Sequence, residues 1–296
     1  MAKMFIDSGV IGHSHLWKSK LKQKTCDKWK KSMSLQAVYT EIEQQEFLQI
    51  PDGWLQGRTI YGGFVAAIMM EKAVQTLKNP LKKLLNVSIT FVGPVKPEQV
   101  KLTAEILREG KSVTSIEVRL WQDQAVQSIL LASFGTERES VISVENLVSA
   151  PQFPKPESLP LATFPPLAPE CFKQMDMVWV NGHMPFVGVD VPDCEGWMRF
   201  NIAHHENRLM TISDLMVSGD MWPPGVLPMV KNFSPASSLT WHLTYINPLQ
   251  THVHDWMKYK VITEYAKQGY STETAYLWDK DDRLIAISRQ TITVFA

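Results

Sequence analysis

The chain repeats itself. Residues 62–136 read as one helix followed by four strands, and residues 208–295 read as the same succession. The first helix, GGFVAAIMMEKAVQTL, leads to a strand, LLNVSITFVGP, that ends on Pro94. The second, RLMTISDLMVSGDM, leads to SSLTWHLTYINP and ends on Pro248. Both helices are apolar nearly all round, which is the pattern of a buried helix. A long buried helix followed by an antiparallel meander has one economical solution: the sheet wraps the helix, and the helix becomes the core. The expected fold class is therefore α+β, with two antiparallel sheets each wrapped around a central helix and free to join edge to edge.

The two copies differ in chemistry. With Pro94 aligned on Pro248, Ser238 falls opposite Leu84. The second helix carries Asp214 where the first has Phe64 to Ile68, and the last strand carries Gln290 where the first copy has Leu131–Ser133. Three polar groups appear in one half where the other is mostly apolar. A duplicated scaffold with one polar half predicts a single site, placed by that half.

The period-2 pattern predicts strands at about 82–91, 98–109, 112–122 and 125–136 in the first half. In the second it predicts them at about 196–202, 236–247, 255–266, 269–279 and 284–295. Residues 35–50 read as one or two strands. The helix opened by Gly62-Gly63 stops at Asn79-Pro80, and the second ends near Gly219, ahead of Pro223-Pro224. Residues 151–169 hold seven prolines, which makes them an extended linker. The expected organisation is a basic extension at 1–32, a first unit at 33–140, a proline-rich linker at 141–174 and a second unit at 175–296.

Composition narrows the classes. The net charge is zero, so no polyanion and no nucleic acid is implied. Residues 1–32 carry eight lysines against Asp7 and Asp27, and read as a solvated, disordered extension or a membrane-surface helix. No apolar run is long enough for an integral membrane segment, and no secretory leader is evident. Three cysteines without metal spacing fit a reducing cytoplasm. No GxSxG elbow, Walker loop or GxGxxG turn is present. His204-His205-Glu206 is not a zinc helix, because position 209 is leucine. No metal and no bound cofactor are expected.

The order and spacing of four blocks resemble the acyl-CoA thioesterase II family, the double-hotdog thioesterases. The blocks are WLQGRTIYGGFVAA, ISDLM, the strand ending YINP, and LWDKDDRLIAISRQTITVF. The resemblance covers roughly residues 35–296. It implies hydrolysis of fatty acyl-CoA to free acid and CoA by direct attack of water, with CoA entering as part of the substrate. It implies a site made of an Asp on the second helix, a Thr or Ser on the next strand, and a Gln on the last. Those residues look like Asp214, Ser238 and Gln290. Thr240 is the alternative to Ser238, since strand alternation puts both on one face. The alternative function is a non-catalytic acyl-CoA or lipid-binding protein on the same fold. A homo-oligomer is left open.

Each candidate has a plainer reading beside it. Asp214 could cap its helix or bond locally, and Gln290 could be satisfied by backbone. Gly62 and Gly63 open a helix whose free N–H groups could meet a substrate carbonyl, or they could serve only close packing. Met69, Met70, Met210, Met216 and Met221 suit an acyl-chain cavity and suit a plain core equally.

Overall fold

The computed structural model describes residues 34–166 and 168–296. The basic extension at 1–32 lies outside the described residues. The chain opens with helix α1 (Leu35–Gln44), followed by short strands β1 (Phe47–Gln49), β2 (Leu55–Gln56) and β3 (Thr59–Ile60). Helix α1 corrects the expectation of strands over 35–50. Leu35, Val38, Tyr39 and Ile42 are the buried residues, spaced three, one and three apart as a helix face requires, and Ser34 caps the start by accepting from the Ala37 N–H.

Helix α2 (Gly62–Thr76) is buried over nine of its fifteen residues. It packs on β5 (Gln99–Glu109), β6 (Val113–Gln122) and β7 (Ala125–Gly135), and β4 (Lys83–Phe91) completes the first meander. Thr114, Ile116, Val118 and Leu120 line the covered face of β6, and the residues between them are more exposed. The β6–β7 hairpin turns on Asp123 and Gln124, both at positive φ, the backbone that a two-residue turn demands.

The second half begins with β8 (Met175–Gly182) and β9 (Cys194–Phe200), followed by helix α3 (Ile212–Gly219). Strands β10 (Ala236–Tyr245), β11 (Met257–Lys267), β12 (Tyr270–Trp278) and β13 (Leu284–Val294) form the second meander, all close to their expected spans. The linker is not wholly without structure: one-turn 3₁₀ segments lie at Pro156–Ser158 and Glu170–Gln174. Its carbonyls strap it to the second half of the sheet. Val148 accepts from the Trp278 indole at 3.1 Å, Pro151 from the Lys258 ammonium at 2.9 Å, and Pro154 from the Trp197 indole at 3.0 Å.

The expectation of two sheets is corrected to one. The eleven strands run β1-β5-β6-β7-β4-β10-β13-β12-β11-β9-β8, joined where β4 pairs antiparallel with β10. An unpaired edge strand exposes a row of N–H and C=O groups, and here each half closes the other's edge. The alignment of Pro94 on Pro248 also maps Ser88 onto His242. These two face each other across the seam, with Ser88 Oγ 2.8 Å from His242 Nδ1, so the duplication folds about an approximate twofold at this pair.

On the core side, α2 and α3 pack on one another, and the five helix-region methionines are all buried there. No helix among the described residues is long and apolar enough to cross a membrane.

Candidate active site

Helix α3 begins at a capping box. The Asp214 N–H donates to Thr211 Oγ1, and the Thr211 N–H returns a bond to Asp214 Oδ2 at 2.8 Å. Arg208 reaches the same carboxylate with both guanidinium nitrogens, Nη1 to Oδ2 at 2.5 Å and Nη2 to Oδ1 at 2.8 Å. Tyr39, from α1, donates its hydroxyl to Oδ1 at 3.1 Å. The fully buried carboxylate is consumed by these partners, which are paired charge and hydrogen bonds of the kind burial requires. Asp214 is a structural node that ties α1 to α3. The structure does not bring it to Ser238 or Gln290.

Another carboxylate is there instead. Asp220 caps the C-terminus of α3, and the Gln290 amide donates to its Oδ1 at 3.0 Å. Ser238 Oγ donates to Gln290 Oε1 at 2.6 Å. The backbone N–H of Gly63, at the start of α2, lies near the Asp220 carboxylate and favours its ionised form. The result is a hydrogen-bonded chain, Ser238–Gln290–Asp220, set against the start of α2 from the first half of the molecule. Six residues separate Asp214 from Asp220, which on a helix is about 9 Å of rise and roughly 120° of rotation. Only one of the two can face Gln290.

Asp220 was missed by the sequence reading, although a signal was available. A carboxylate at a helix C-terminus opposes the helix dipole, so its presence there calls for a reason. The structure supplies a compensating one, since the same carboxylate lies at the N-terminus of α2, where the dipole favours it. Its carboxyl is enclosed, although part of the residue reaches the surface. Burial pushes it up to about 7, against the pull of the Gln290 amide and the Gly63 N–H.

The glycine pair makes this approach possible. A Cβ on Gly62 would stand 2.9 Å from Asp220 Oδ2. On Gly63 it would meet the ring of Tyr61, whose hydroxyl donates to the Val217 carbonyl at 2.6 Å and pins the two helices together. Close packing and an exposed helix start are thus one feature here.

Ser238 and Thr240 do not share a face, contrary to expectation. The β10–β13 register slips between them, so that Ser238 pairs with Ile292 and Thr240 with Thr291. This β-bulge reverses the alternation and re-aims one side chain. Ser238 turns inward to Gln290. Thr240 is exposed on the far side, in a groove of about 220 Å³ with Ser88, Thr90, His242 and Arg289. Gln290 is buried on the inner face with Ala286, Ser288 and Ile292, and Arg289 points outward to Glu264. The first half's counterparts of Ser238 and Gln290 are Leu84 and Ala132, both buried and apolar. His205, from the tested zinc-like run, is bonded to Gln174, and its burial lowers it to about 4. No cluster of metal-ligating side chains exists among the described residues.

Comparison with known proteins bears on the family and the fold. Residues 50–135 match the acyl-CoA thioesterase N-terminal domain, and residues 148–294 match the acyl-CoA thioesterase C-terminal domain. No curated protein matches the chain significantly. Among solved structures, a conserved protein of unknown function with a hot dog fold from Alicyclobacillus acidocaldarius is 21% identical. That match covers 84% of this chain and 92% of that one at a TM-score of 0.73. An acyl-CoA thioesterase II from Mycobacterium marinum is 19% identical over 79% of this chain and 88% of that one, at 0.63. The tesB protein of Mycobacterium avium subs paratuberculosis is 15% identical over 80% and 88%, at 0.65. At these identities the solved structures speak for the fold, and the two domain matches speak for the family. With both domains present in order, the chain belongs to the acyl-CoA thioesterase family.

Proposed function

We propose that the protein hydrolyses acyl-CoA thioesters by direct attack of water, with Asp220 as the general base. The observation that carries this reading is the Ser238–Gln290–Asp220 chain. Asp220 takes a proton from water as the water adds to the thioester carbon. A base that titrates near neutral pH suits that task. Gln290 and Ser238 hold the water and the carboxylate in register, which lowers the entropic part of the barrier. The first N–H groups of a helix have no partner within it, so Gly62 at the start of α2 offers a donor to the developing oxyanion. Collapse of the tetrahedral intermediate expels the CoA thiolate and leaves the free acid. No covalent enzyme intermediate is needed. The role first assigned to Asp214 passes to Asp220, and Thr240 drops out of the site. In this reading each half-sheet wraps its own helix, and acyl-chain length is set by the core around α2 and α3.

The test is thiol release from a panel of short, medium and long acyl-CoA esters by the wild type, Asp220→Asn and Asp214→Asn. Turnover lost in Asp220→Asn and kept in folded Asp214→Asn is the expected result. Equal loss in both would return the role to Asp214. Binding of acyl-CoA with no turnover by the wild type would make the protein a non-catalytic acyl-CoA binder.

A further inference from the structure

A row of polar side chains crosses the inner face of the second half-sheet. Gln290 on β13 is paired with Glu273 on β12, and Glu273 with Thr263 on β11. Directly opposed residues on one face have Cβ atoms about 5 Å apart. The next row, Leu243, Ser288, Ala275 and Val261, is apolar or small. Glu273 is buried, at 3% exposure, and the mechanism above does not use it. Its Oε2 accepts from the Gly225 N–H at 2.8 Å. Gly225 ends the turn Asp220-Met-Trp-Pro-Pro-Gly, and its carbonyl accepts from the Asp193 N–H at 2.7 Å. The turn that carries Asp220 is therefore fastened to the sheet through Glu273.

The charges around Glu273 are of one sign. Asp220 and Asp193 both act against its ionisation, and Glu273 in turn raises Tyr259 and Cys194. No base appears among these groups. Thr263 Oγ1, next on the row, is buried with no hydrogen-bond partner among the described residues.

We infer that Glu273 is a positioning residue that works as a neutral acid: it holds the Asp220 turn and keeps a second negative charge out of the site. This rests on the reading of Asp220 as the base. Burial pushes the Glu273 carboxyl up to about 8, so it keeps its proton at neutral pH and loses it on the alkaline side. Ionised, it places a charge beside Asp220, where the oxyanion develops.

The experiment is the pH profile of kcat for wild type and Glu273→Gln, which can still accept from Gly225. In the wild type, activity rises as Asp220 ionises and falls about tenfold per pH unit once Glu273 has ionised. Glu273→Gln should keep the rise and lose the fall. An unchanged alkaline fall, or a folded Glu273→Gln that is inactive at neutral pH, overturns the inference. Two further measurements do not depend on turnover. A buried protonated carboxyl should give an infrared band in the wild type that vanishes across pH about 8. A wild-type spectrum without that band also overturns the inference, even if the variant does not fold. The raised carboxyl contributes stability that is present below its unfolded value and lost as pH rises through about 8. The Tm of the wild type should thus fall over that window more than the Tm of Glu273→Gln, and parallel curves count against the idea. If no acyl-CoA is turned over by any form, the base assignment fails, while the infrared and Tm results still decide the state of Glu273.

Discussion

At the residue scale, two aspartates six positions apart meet different partners, and the proposed function gives them different roles. Asp214 spends its carboxylate on Arg208, Tyr39 and its own helix cap. Asp220 meets a neutral donor, Gln290, beside the start of α2. Asp214→Asn should therefore cost about 1–3 kcal/mol of stability, because it leaves the half-buried Arg208 guanidinium without its counter-charge. Urea denaturation checks that figure, and kcat of the folded fraction should stay near wild type. Asp220→Asn should do the reverse. Its kcat should fall by about 10²–10⁴, the contribution of a positioned base, with acyl-CoA binding retained in a titration.

At the element scale, the bulge in β10 and the glycines of α2 do the placing. Deleting Leu239 makes Ser238 and Thr240 consecutive, so β10 pairs regularly with β13 while Ser238 stays opposite Ile292 on the inner face. The expected product is a folded chain, by circular dichroism, that keeps turnover. Thr240→Ala, on the outer face already, should leave turnover unchanged. Gly63→Ala drives a methyl into the Tyr61 ring, 2.4 Å from its hydroxyl. Overpacking of that kind costs typically about 1–3 kcal/mol, and thermal unfolding should show it. Gly62→Ala pushes on Asp220 itself, so its effect should appear in kcat more than in Tm.

At the scale of the whole molecule, one sheet and two opposed helices make a duplicated frame with a single working end. At one end of the helix pair the start of α2 abuts Asp220; at the other, Ser213 donates to Glu71 at 2.7 Å. The first half's counterparts of Ser238 and Gln290 are the apolar Leu84 and Ala132, and Asp214 is paired with Arg208. The working end should show itself in pH dependence. Asp220 is raised on folding, so protons bind the folded state more tightly than the unfolded one. Its contribution to stability is full below the unfolded value, about 3.9, and is lost as pH rises through about 7. Activity moves the opposite way over the same window, rising as the base ionises. In Asp220→Asn the acid limb of kcat and this part of the Tm curve should both disappear.

Local periodicity is written in the sequence because it depends on near neighbours. It was enough for the repeat, the two meanders, the buried helix α2 and the inward facing of Gln290. The same local rules failed over 35–50, where a short apolar stretch read as strand and helix spacing went unweighed. They also failed at Leu239, since a bulge depends on the partner strand. Which aspartate meets Gln290 could be decided only by tertiary structure. Both sit on one short helix, and their roles come from groups far away in the chain: Tyr39 for one, Gly63 and Gln290 for the other. The joining of two half-sheets into one has the same origin, because the hydrogen bonds that β4 and β10 share exist only when both halves are folded.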